Sequence, residues 1–134
     1  MNGVIAVRTL LVTDTGMTAL VPEARIAAGM LPQGTDLPAI SLMSVSSVDR
    51  NISAPGPKRR VTERVQVTVL AATYRQVKAI LAAVRRAAAD QMPTIDGLFD
   101  LTVHTDTAGP DFLDEDTGIH MQSQDLRVSF NEAR

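Results

Sequence analysis

Side chains able to do chemistry are few in this chain and fall into a handful of groups. His104 and His120 are the only histidines, and there is no cysteine. Without a thiolate or a His pair at i, i+4, a metal site would need carboxylates brought in from elsewhere, so both histidines read as surface or edge residues. Asp111, Asp114, Glu115 and Asp116 form an acidic cluster. A hard cation such as Ca²⁺ wants several carboxylate oxygens, but this spacing is not that of an EF-hand, and a solvated hairpin loop accounts for the run better. Lys58, Arg59 and Arg60 form a basic run, and Arg85 with Arg86 closes a helical pattern, where cations complement the helix dipole. Loops of opposite sign on one chain suit head-to-tail assembly, which makes these basic and acidic residues the candidate subunit or partner interface. No G-x-S-x-G elbow, P-loop or G-x-G-x-x-G occurs. No catalytic, cofactor-binding or metal-ligating residue is therefore expected, and no cofactor.

The elements that must position these groups centre on Arg60 to Arg86. Val61, Val65, Val67, Val69 and Ala71 alternate with Thr62, Arg64, Gln66 and Thr68, the period of a half-buried strand, and only Glu63 breaks the apolar side. Thr73 stands where an N-cap belongs. Tyr74, Val77, Ile80, Leu81, Val84 and Ala88 follow at helical spacing, predicting a helix that lays one stripe on the sheet. A strand from Val61 to Ala72 at roughly 3.3 Å per residue spans about 40 Å. The radius of gyration expected for a compact chain of this size is only about 14 Å, so one end of that strand should overhang the globule.

Around this unit, Val4, Ile5, Val7, Leu11 and Val12 predict an N-terminal helix ending near Thr13. A second short helix over Met17 to Val21 would be capped by Asp14 or Thr15 and stopped by Pro22. Ile26, Ala28 and Met30 suggest a weak strand, followed by a Pro/Gly-punctuated loop from Leu31 and a strand beginning at Pro38. In that strand Ile40 and Leu42 lie on one face and Met43 and Val45 on the other, which calls for a bulge or for two covered faces. Asp49 to Lys58 reads as a hairpin tip with Ile52 its one large apolar side chain. After the helix frays near Asp90, Phe99, Leu101 and Val103 alternate on a strand opened by Gly97, and Thr105 to Gly118 is turn-rich and acidic. The last strand, Ile119 to Phe130, carries Leu126, Val128 and Phe130 on one face, with Ile119 and Met121 out of phase. The expected architecture is α+β: one domain over residues 1–134, a mainly antiparallel sheet with a long helix packed on one face, an N-terminal helix and an extended β-hairpin.

Composition excludes several classes. A chain of 134 residues can bury a core without disulfide or metal support. Its formal net charge of -2 offers no global basic field for nucleic acid or anionic lipid. Tyr74, Phe99, Phe112 and Phe130 are the only aromatics, too few for base-stacking platforms. Arg8 interrupts the apolar N-terminal residues, and no uncharged apolar run approaches spanning length, so neither signal peptide nor membrane contact is expected. The reading is a soluble protein made in the cytoplasm.

Four segments in order resemble the small tail-completion, tail-terminator-like proteins of long-tailed bacteriophages, prophages and gene transfer agents. They are the N-terminal helix running into Thr18-Ala19-Leu20-Val21; Leu31-Pro32-Gln33-Gly34 with Leu37-Pro38-Ala39-Ile40; Arg64-Val65-Gln66-Val67-Thr68-Val69 with Ala72-Thr73-Tyr74 and the Ala-rich helix to Arg86; and Thr117-Gly118-Ile119-His120 with Ser123 and Asp125-Leu126-Arg127-Val128. The resemblance implies a structural virion protein with no catalytic residues, located at the tail end or neck and assembled in the host cytoplasm. It implies a homo-oligomeric ring, typically hexameric, that caps the tail tube and provides the surface for joining tail to head. The implied partners are the tail-tube protein and the head-tail connector proteins, with DNA passing through the ring without sequence-specific binding. The acidic Asp111 to Asp116 loop and the Asp49 to Lys58 tip depart from the family pattern. Two alternatives belong beside this reading: a head-tail adaptor or other neck protein, and a small α+β ligand-binding or enzyme domain with His104 or His120 in a pocket.

Overall fold

The alternating segment becomes the central strand of the fold. In the computed structural model, which describes residues 2–32 and 34–134, the sheet order is β1-β2-β3-β6-β4, with β5 pairing to β6. Its strands are β1 (Ile26–Ala28), β2 (Ala39–Arg50), β3 (Lys58–Ala71), β4 (Leu98–Ala108), β5 (Phe112–Asp114) and β6 (Ile119–Ala133). Three helices accompany them: α1 (Asn2–Thr13), α2 (Thr15–Leu20) and α3 (Tyr74–Ala88). Gln33 of the Leu31 to Gly34 motif lies outside the described residues, as does Met1.

The fold is α+β, but the sheet is mixed. β2–β3, β3–β6, β4–β6 and β5–β6 run antiparallel, whereas β1 runs parallel to β2. To pair parallel, the chain between β1 and β2 returns to the end of the sheet at which β1 began. Gly29 takes a φ of +87° there and donates its N–H to Leu42 O at 2.7 Å, and Ser41 Oγ donates to Gly29 O at 2.7 Å. Met30, expected on one side of this strand with Ile26 and Ala28, lies outside it and is exposed.

The β3 face predicted to be apolar is buried throughout, and α1 and α3 cover it. Val61, Val65, Val67, Val69 and Ala71 share one core with Val4, Val7 and Leu11 of α1 and Val77, Ile80, Leu81 and Val84 of α3. Each such side chain, taken fully out of water, contributes about 1.5–3 kcal/mol of transfer free energy. Asp14 caps α2 by accepting from Met17 N, and Thr73 caps α3 by accepting from Gln76 N. These bonds satisfy N–H groups that a helix start otherwise leaves orphaned. Tyr74 departs from the expected stripe: it is the first residue of α3 and half exposed.

Two phase problems in the sequence resolve differently. In β2 Met43 lies off the core face by ordinary alternation with Ile40 and Leu42, and Val45 sits in a bulge, the register shift between Ser44 and Ser46. β6 has no such break against β3, whose pairing runs unbroken from Lys58↔Ala133 to Ala71↔His120. Met121 simply belongs to the uncovered face, opposite Leu70 on one side and Phe112 of β5 on the other. A third irregularity was not anticipated. Asp100 takes a φ of 50°, the β4–β6 register shifts between Phe99 and Thr102, and Phe99 leaves the core alternation that Leu101 and Val103 keep.

Candidate assembly surfaces

The long axis of the sheet separates the two groups of charges. Lys58 pairs with Ala133 at one end of β3, and Ala71 pairs with His120 at the other, next to the Asp114–Ile119 turn. At roughly 3.4 Å per residue these ends lie about 45 Å apart. The basic run thus sits at a distal end and the acidic turn at a proximal end.

The covered part of the sheet stops where α1 begins. Gly3 N donates to Glu63 Oε1 at 3.1 Å, and Asn2 Nδ2 donates to Glu132 Oε2 at 3.0 Å. Glu63, the residue that broke the apolar pattern, is buried beneath the first turn of α1, where unsatisfied N–H groups and the positive end of the helix dipole favour a carboxylate. The approach is close: a Cβ on Gly3 would lie 2.8 Å from Glu63 Cδ and Oε2. On the outer strand every residue from Met43 through the tip to Lys58 is exposed, although Met43 to Asp49 still pair with Gln66 to Val61 of β3.

At the distal end the basic residues are partly engaged. Lys58 Nζ lies 3.8 Å from the centroid of the Phe99 ring, a cation–π contact that explains where the displaced aromatic goes. Arg59 lies between Asp49 (3.6 Å) and Glu132 (3.5 Å), and Arg60 donates to Asp100 O at 3.0 Å. Arg50, Lys58 and Arg60 make no ion pair among the described residues. Among the described residues β2 from Met43 onward has no strand on its outer side, because β1 pairs only as far as Leu42. This open edge carries the exposed Val45 and Val48 and leads to Ile52 in the tip.

At the proximal end the acidic cluster divides. Asp111 is held against α3, accepting from Lys78 Nζ at 2.6 Å and from Tyr74 Oη at 3.0 Å, while Lys78 also donates to Gln122 Oε1 at 2.6 Å. The hydrogen bond from Lys78, then that from Tyr74, lowers the Asp111 carboxyl below its usual value. The same bond from Lys78 to Asp111 raises the lysine. Asp114 shapes the turn by accepting from Asp116 N at 3.1 Å. Glu115 and Asp116 are exposed, and with Asp114 they form no ion pair among the described residues. A notch of about 270 Å³, lined by Thr68, Pro110, Phe112, Met121, Gln122 and Ser123, opens beside this turn.

The remaining candidates are separate. Arg85 Nη1 donates to Gln124 Oε1 at 3.3 Å, and Arg86 packs over Gly16. His104 Nδ1 lies 2.8 Å from Asp90 Oδ1, and His120 meets the Tyr74 ring edge-on at 6.4 Å, so the structure does not bring the two histidines together. Among the described residues no three His, Asp or Glu gather closely enough to hold a metal ion, and no helix is long and apolar enough to cross a membrane. Lys78, Gln122 and the open edge of β2 were not singled out from the sequence, and Tyr74 was read there as part of the buried stripe, not as a site residue. The i, i+4 spacing of Tyr74 and Lys78 was the available signal for that pair.

Surfaces of this kind, charged at two ends with an uncovered sheet edge, suit a structural protein that meets other chains. The family is more definite: the chain belongs to the tail completion protein gp17 family, whose model matches residues 5–130. It is thus a structural protein of bacteriophage-type tails and a virion component. In fold it is similar to a chain in the solved virion of a native gene transfer agent particle, with a TM-score of 0.70 and 20% identity over 96% of this chain and 93% of that one. No curated protein sequence matches it.

Proposed function

We propose that this protein closes into a homo-oligomeric ring, most simply a hexamer, on the head-proximal end of the tail tube. The ring ends tube polymerisation and presents the surface to which the head, through its connector proteins, is joined. The observation that carries this reading is the separation of unpaired charges of opposite sign, Arg50, Lys58 and Arg60 at one end and Asp114, Glu115 and Asp116 at the other. A subunit with two different complementary surfaces forms heterologous contacts, which close into a ring when the rotation between neighbours allows. Family membership supports a tail location, and the net charge of -2 suits a passage through which DNA slides without sequence-specific binding.

Electron microscopy of particles made without this protein tests the role. The expected result is full heads beside separate tails that are overlong or irregular in length at the end that should meet the head. Tails of normal length joined to heads would overturn it. Normal-length tails that fail to join would favour a neck adaptor instead.

A further inference from the structure

We infer that the contact between neighbouring copies is end to end, the distal tip of one copy seated in the proximal notch of the next, an inference that rests on the ring reading. The tip offers two exposed apolar side chains, Val48 and Ile52, 63% and 62% accessible. Among the described residues no strand covers the β2 edge that carries Val48, and Arg50 and Lys58 flank it. The notch offers the matching chemistry. Phe112 and Met121 face each other across β5 and β6, Thr68 and Ser123 form its polar wall, and the Asp114 turn stands a short step along the same strands.

The apolar parts alone would not choose between partners. The charges do: three unpaired cations surround the tip, and three carboxylates without an ion pair stand beside the notch. Two tips repel each other, as do two acidic turns, so like ends are disfavoured and tip-to-notch contact is selected. The resulting contact is heterologous, as a closed ring of identical subunits other than a two-fold dimer requires. The protein's own fold does not need the tip's apolar residues, since Val48 and Ile52 lie outside the core.

Charge exchange between the ends tests this. Arg50→Glu with Lys58→Glu spares Arg60, which bonds Asp100 O, and Glu115→Lys with Asp116→Lys spares the turn-forming side chain of Asp114. Light scattering after size exclusion at several concentrations should show the unaltered chain assembling. Each double variant, with thermal unfolding unchanged, should assemble at least roughly 100-fold more weakly, the scale of like charges set against each other across an interface. Mixing the two variants should restore heterologous contacts between unlike copies. Unaltered and variant chains that assemble equally well would overturn the end-to-end contact and leave the ring standing. Both variants failing without rescue on mixing would also overturn it. An unaltered chain that remains monomeric at the highest concentration, and also when offered tail tubes, would overturn the ring and the contact together.

Discussion

Strand β3 passes through two environments, and its two portions obey different rules. From Val61 to Ala71 one side is buried under α1 and α3, while the other is half-buried apart from the exposed Arg64. From Lys58 to Arg60 the strand is exposed or half-buried and held by ladder bonds to β6 and, at Arg60, to Arg50 of β2, where the exposed tip begins. Hydrophobic burial accounts for the first portion. It does not account for the second, nor for the outer strand, where β2 from Met43 to Arg50 keeps pairing with β3 yet leaves Val45 and Val48 in water. Extended structure that folding does not require, ending in unpaired charge, belongs to what the protein meets.

The largest way to sharpen that contrast is to damage the covered half. Leu81→Ala removes a side chain buried in the shared core and should destabilise the fold by about 2–5 kcal/mol. Urea unfolding followed by circular dichroism measures it, against a total stability on the order of 10 kcal/mol. An equal loss on truncating Val48 to Ala would mean that the two portions are not energetically distinct.

Gly3→Ala should come next. The added methyl meets the Glu63 carboxylate at 2.8 Å, so either the α1 start or the buried side chain must shift, a strain of about 1–3 kcal/mol. Unfolding of this variant unchanged from the parent would show that the α1–β3 approach relaxes freely.

How far the sequence revealed these two portions depends on the kind of signal each part carries. β3 and α3 were legible because a one-sided periodicity over many residues, closed by Thr73, has few alternative readings. The direction of β1 was not legible, since Ile26–Ala28 has no intrinsic mark of parallel or antiparallel pairing and its docking on β2 is completed by Gly29, which bonds Leu42 and Ser41. The displacement of Phe99 hinges on the left-handed conformation of Asp100, which an alternating pattern hides. Among the candidate site residues, the separation of the basic run from the acidic turn follows from pairing register, which spacing along the chain does not encode. Asp111 read as one of the acidic cluster because its partner Lys78 lies on a helix far away in sequence.

On the uncovered face the expected effects are smaller. Gln66→Ala and Thr68→Ala alter side chains only partly buried and should each change the stability of the isolated subunit by about 0.5 kcal/mol or less. A loss as large as that of Leu81→Ala would place this face in contact with a neighbour even in solution. The tip should barely register in stability at all. Asn51 to Pro57, exposed throughout and outside the ladder, should exchange its amide hydrogens rapidly in a free subunit. Slow exchange there in a monomer would assign the tip to the folded core.

The finest distinction concerns the proximal end, where Asp111 and Lys78 tie the β4–β5 loop to α3. Asp111 binds its proton more weakly folded than unfolded, because Lys78 and Tyr74 hydrogen-bond the charged form. Its contribution is therefore fully present above the ordinary value of 3.8 and is lost as pH falls below that value through the folded one. Lys78 has the opposite sign: raised by the same bond, its contribution is present below the ordinary 10.5 and lost as pH rises through the folded value. Both groups are exposed, so solvent screens the pair and the effect on the melting temperature should be small. Comparing the parent with Asp111→Asn, a slight gap near neutral pH should close in acid below 3.8. A gap that persists unchanged through that range would mean the loop is held by the neutral bonds of Gly109 and Gln122 instead of by the charge on Asp111.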